Sequence, residues 1–160
     1  MSIHNILFIL SFFCCALIAG LLYGYSCSVN PGLAKLNDRS YIDAMQNINA
    51  AILNPLFFLS FFGTTILIPI TTVLHKSSSS FPWLLAASLI YLLGVLGVTM
   101  FGNVPLNNAL SAFKLEGASL ESIKDARTAF ENSWNRFHTI RTIAAGLSLL
   151  ILVFAFIKSK

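Results

Sequence analysis

Four long apolar stretches divide this chain of 160 residues. The first, Ile6 to Gly24, carries no charge; the others are Ala50 to Leu74, Phe81 to Phe101 and Thr139 to Ile157. A bilayer's hydrocarbon core, about 30 Å thick, takes roughly 20 apolar residues in a helix, so each stretch predicts a membrane span. The spans fall at about 6–24, 52–74, 81–101 and 139–157. The expected fold is all-α: an integral membrane four-helix bundle, one domain over residues 1–160.

Two helical patterns outrun their spans. Ser40 to Asn49 reads as helical but polar, so helix 2 should begin outside the hydrocarbon and enter it near Ile52. A kink is expected at Pro55, which lacks an N–H and crowds the carbonyl of Ala51. From Ser119, an N-cap residue, to Lys158 there is no proline and the only glycine is Gly146. About 38 residues at 1.5 Å each would reach nearly 57 Å, more than a bilayer requires. Leu120 to His138 should therefore project as an amphipathic helix, with Ile123, Ala126, Phe130, Trp134 and Phe137 on its inward stripe. Arg127 and Glu131 pair at i,i+4 on the other side. Helices 2 and 4 are thus expected to extend into a shared polar cap, which gathers all six acidic residues.

Turn signals complete the outline. Ser26, Cys27, Asn30 and Pro31-Gly32 predict a turn closing helix 1, and Gln46 and Asn49 would face the cap. Pro82 suits a first helical turn and Trp83 the membrane interface. After helix 3, Pro105 biases Val104 away from helical geometry and predicts a break or kink.

Composition agrees with the spans. Hydrophobic residues make up 56% and charged residues 10%, too few to give a soluble domain its polar skin, so a lipid bilayer is the expected partner. The net charge of +4 comes from basic residues placed singly at segment ends. That placement argues for membrane flanks and against nucleic acid. Three cysteines, two of them adjacent (Cys14 and Cys15), make neither a disulfide framework nor a zinc site. The first apolar run lacks a basic start and reads as a retained anchor. The chain is expected to be a multi-pass protein of the plasma or inner membrane. Lys76, Lys158 and Lys160 lie on one side and seven Lys/Arg on the cap side, so the positive residues favour a cytoplasmic cap.

Two clusters are too polar for their depth. Asn103, Asn107 and Asn108 follow helix 3, where their amides can serve either a broken helix end or a ligand. The second is Trp134-Asn135-Arg136-Phe137-His138-Thr139-Ile140-Arg141. On a helix, Trp134, His138 and Arg141 share the inward face, with Asn135 beside them. Arg141 stands where an apolar residue belongs, which is costly unless it faces the interior with partners or snorkels to headgroups. His138 is either a structural imidazole or a titrating group. It is the only histidine at this end, so two-histidine haem ligation within one chain is not expected, and Glu131 with His138 makes a thin metal site.

NVPLNNAL, then about twenty-five residues and W-N-x-x-H-x-x-R-T, resembles the anthrone oxygenase-like family of small four-helix membrane proteins. GLLYGYSCSVNPGL and AMQNINAAILNP resemble its first half, so the likeness covers nearly the whole chain. By that resemblance His138 and Arg141 are catalytic candidates, and Asn103, Asn107, Trp134 and Asn135 are substrate-binding candidates. It implies oxidation of an anthrone, or a related flat aromatic or phenolic molecule, with molecular oxygen as co-substrate and neither a metal nor another cofactor. The alternative is a non-catalytic membrane subunit or small-molecule-binding protein whose cap docks a partner. A cavity beside His138 would favour an enzyme or binding protein; a filled cap would favour a structural subunit.

Overall fold

The computed structural model describes residues 3–158, and Lys160, counted above for orientation, lies outside the described residues. Five helices run through it: α1 (Ile3–Leu33), α2 (Asp38–Ala51), α3 (Pro55–Leu74), α4 (Phe81–Ala112) and α5 (Leu120–Lys158). All but α2 are long and apolar enough to cross a membrane, and no strand occurs among the described residues. This is an all-α membrane bundle. Its outer surface is apolar, as at Leu56, Leu59, Phe101 and Ile157, which suits lipid.

Lipid tails are as apolar as leucine, so close packing and internal hydrogen bonds must hold such helices together. The bundle core joins Cys15 and Ile18 of α1, Phe61 and Ile68 of α3, Leu84 and Tyr91 of α4, and Ala145 and Leu152 of α5. Small residues set the closest approaches. A Cβ on Gly94 would lie 2.6 Å from that of Ala144, and one on Gly102 would lie 2.8 Å from the Phe137 ring. Buried hydroxyls find partners: Ser11 and Thr71 pair at 2.9 Å, and Ser148 donates to the Ala87 carbonyl at 2.9 Å.

A second apolar cluster sits at the α2 end. Tyr41, Ile42 and Met45 of α2 pack on Leu110 of α4 and on Ile123, Phe130 and Trp134 of α5, the stripe read from the sequence. Gln46 Nε2 donates to the carbonyls of Leu110 (2.7 Å) and Phe113 (2.8 Å), closing the exposed end of α4. Arg127 pairs with Glu131 at 2.7 Å, as expected, but also holds Asp38 at 3.0 Å and the Leu36 carbonyl at 2.8 Å. It is partly buried over the Tyr41 ring, not on an outer face. Burial pushes the Tyr41 phenol upward, so Arg127 covers a neutral ring.

The prolines correct the sequence reading three times. Pro31-Gly32 forms no turn: α1 continues through a π-helical stretch, Tyr25–Val29, to Leu33. Nor does α4 break at Pro105. A π-helical stretch, Thr99–Asn103, precedes it, and Val104 stays helical at φ −61°, ψ −46°. In both places the N–H just before the proline's helical turn bonds five residues back: Asn30 to Tyr25, Val104 to Thr99. The widened turn relieves the clash between a proline ring and the preceding carbonyls. At Pro55 the expected kink is a full break. Asn54 turns extended and accepts from the Phe57 N–H at 3.1 Å, with Pro55 in the first turn of α3. Pro69, passed over by that reading, sits inside α3.

Candidate functional site

The polar clusters of α4 and α5 meet at the α2 end, and two of the three π-helical stretches among the described residues supply their partners. Tyr25–Val29 brings Tyr25 and Ser26 of α1 against α5; Thr99–Asn103 brings Thr99 and Asn103 of α4. Such widened turns recur at functional sites because they re-aim side chains within a continuous helix.

His138 is buried, 1% exposed, and its bonding fixes its tautomer. A guanidinium can only donate, so Arg141 Nη2, 3.2 Å from His138 Nδ1, makes Nδ1 the bare nitrogen. The ring proton is therefore assigned to Nε2, which donates to Ser26 Oγ at 2.9 Å. Ser26 Oγ lies 3.2 Å from Thr142 Oγ1, which donates to the His138 carbonyl at 2.9 Å, and this short loop locks the ring. Trp134 stacks on the imidazole with centroids 5.0 Å apart and 10° between planes. Tyr25 leans on both rings, at 5.4 Å and 5.2 Å, and its hydroxyl donates to Met45 Sδ at 3.1 Å.

The asparagines of α4 tie to the same tryptophan. Trp134 Nε1 donates to Asn107 Oδ1 at 2.7 Å, and Asn103 Nδ2 to the Trp134 carbonyl at 3.3 Å. Arg141 points inward, toward Thr99 Oγ1 at 3.3 Å, with its guanidinium 5.5 Å from the Trp134 ring centre. Both salt bridges among the described residues belong to Arg127, so no described carboxylate neutralises Arg141. Its Nε, together with Asn103 Oδ1 and Asn49 Nδ2, is buried with no hydrogen-bond partner among the described residues.

These three unpartnered atoms belong to residues that line one cavity of about 180 Å³. Its polar wall includes His138, Arg141, Trp134, Asn103 and Asn107; its apolar wall includes Leu22, Ile52, Phe57 and Phe61. Five of the six candidates from the sequence thus share one cavity. Asn135 does not line it; its Oδ1 is buried without a partner outside the cavity wall. Asn108 is exposed and also stands apart. Tyr25, Thr99 and Thr142 were missed. Thr142 carried a signal, one turn beyond His138 on the same face, whereas Tyr25 and Thr99 come into place only through the widened turns.

Four helices able to span a membrane, with an unneutralised guanidinium and a neutral imidazole beside an internal cavity, define a small helical membrane protein with a polar interior site. Its family follows from comparison with known proteins: the anthrone oxygenase profile matches residues 45–151, and the chain belongs to that family. The match takes in Asn103, Asn107, Trp134, His138 and Arg141, and leaves Tyr25 and Ser26 outside it. No curated protein and no solved structure matches the chain.

Proposed function

We propose that the cavity binds a flat, weakly acidic aromatic molecule of the anthrone class and that the protein oxidises it with molecular oxygen, in the plasma or inner membrane. The observation that carries this reading is Arg141: a cation with no described carboxylate partner and an unpartnered Nε beside a cavity. Such a group gains most from an oxyanion that develops during a reaction.

The chain's own residues support a short sequence. The substrate carbonyl oxygen docks on Arg141 and displaces the guanidinium from His138. The bare Nδ1 is then the free lone pair, and it takes a methylene proton from the ring carbon opposite the carbonyl. The negative charge delocalises onto the oxygen held by Arg141, while Trp134 and Tyr25 flank the ring plane. Ser26 keeps the imidazole oriented through Nε2. The carbanion passes one electron to oxygen, the radical pair couples to a peroxide anion, His138 returns its proton to that anion, and the resulting hydroperoxide loses water. One oxygen molecule is consumed, and the methylene becomes a carbonyl as one water forms. The reading needs no further cofactor, because such carbanions react with oxygen directly. The cavity favours it over a structural subunit, whose interior would be filled.

The test is oxygen uptake by purified protein with anthrone, metal-free and then with added iron or copper. The expected result is one oxygen consumed per quinone formed without added metal. No uptake under any condition sinks the oxidation; uptake only after adding metal sinks the cofactor-free route.

A further inference from the structure

The cavity has a mouth, and its composition is informative. Leu21, Leu53, Phe58, Phe62 and Met100 both line the cavity and are exposed, at 41%, 64%, 38%, 46% and 49%. All five are apolar. None of the polar lining residues is exposed: His138 and Asn103 are each 1% exposed and Trp134 is 5%, while Asn49, Asn107 and Arg141 are half-buried. All five mouth residues also fall inside the spans read from the sequence, 6–24, 52–74 and 81–101. The opening therefore faces the level of the hydrocarbon, not water.

Its origin lies in the helix packing. α3 packs mainly on the Phe81–Tyr91 part of α4 and far less on the Leu92–Asn103 part, so the two helices splay toward the site. The break at residues 52–54, which separates α2 from α3, sits at the same opening, where Ile52 and Leu53 join the wall. A gap with an apolar rim, between helices that should be surrounded by lipid, offers no exposed polar side chain to receive a hydrated molecule.

We infer that this gap between α1, α3 and α4 is a lateral portal through which a membrane-dissolved aromatic molecule enters the cavity from the bilayer. It rests on reading the cavity as a ligand site, but not on oxidation. Entry from lipid leaves the apolar body of the molecule in contact with the mouth while its polar end reaches Arg141.

Trp134 reports on the route from inside. Only two tryptophans are present, so Trp83→Phe, far from the site, leaves Trp134 as the single emitter. The full chain is placed in lipid nanodiscs and quenched either by a nitroxide-bearing alkane dissolved in the bilayer or by aqueous acrylamide. The alkane is expected to quench Trp134 several-fold more strongly. Adding Leu21→Phe and Met100→Phe should narrow the mouth and cut that quenching several-fold, with acrylamide quenching unchanged as the control for folding. Equal or stronger quenching by acrylamide overturns the portal, as does alkane quenching that the two substitutions leave intact. Anthrone binding is titrated in the same samples. If anthrone does not bind, the proposed function fails, while the quenchers still decide the route.

Discussion

A guanidinium inside an apolar bundle is tolerated only where it is partnered, and Arg141 is partnered thinly. Thr99, His138 and the Trp134 ring replace the carboxylate a structural arginine would have. Arg127 is the contrast, with two carboxylates, a backbone carbonyl and a tyrosine ring around it. Opposite consequences follow for the two arginines. Arg127→Ala should lower unfolding stability by about 1–3 kcal/mol, the scale of hydrogen bonds to charged groups, when measured by denaturation in detergent. Arg141→Met should leave stability unchanged or raise it, because it removes an unneutralised buried charge, while abolishing anthrone binding. A stability loss at Arg141 as large as that at Arg127 would mean the charge serves the fold. Trp134, His138 and Arg141 were legible because helical spacing puts them on one apolar face where a charge is out of place. Asn135 is adjacent in sequence, but one residue turns a helix by about 100°, enough to carry it off the cavity wall.

At the scale of elements, the spans and the long α5 could be read from the sequence, because apolar length and the absence of proline leave little choice. The behaviour of each proline could not. Asn30-Pro31 and Asn54-Pro55 look alike, yet the first continues a helix and the second starts one. The difference is the widened turn ahead of Pro31, a cooperative backbone choice that no single residue signals. The same kind of turn ahead of Pro105 carries Thr99 and Asn103 to the site. Helix contacts at this level are exacting. Gly94→Ala would force a Cβ to 2.6 Å from the Ala144 Cβ, where neither group can move without its backbone. Gly102→Ala would press on the Phe137 ring, next to Asn103. Each should destabilise by about 1–3 kcal/mol, the usual cost of overpacking. Gly102→Ala should also weaken anthrone binding, whereas Gly94→Ala, whose contact lies away from the cavity, should not. Equal binding losses in the two variants would argue that α4 moves as one rigid rod.

For the whole molecule, the proposed chemistry rests on one polar site at the end of an apolar bundle. Phe57, Phe61 and Leu22 form an apolar wall of the cavity, and the amides, imidazole and guanidinium form its polar wall, the two surfaces that the proposed flat substrate needs. The central claim is that His138 is the base in this site. Its most direct test is the initial rate of oxygen consumption with saturating anthrone, compared between the wild-type protein and His138→Ala at equal folded concentration. Removing a general base costs about a hundredfold or more, so the variant should be nearly silent while its thermal unfolding stays close to wild type. A correctly folded His138→Ala protein that consumes oxygen at the wild-type rate would contradict the account and place the chemistry elsewhere.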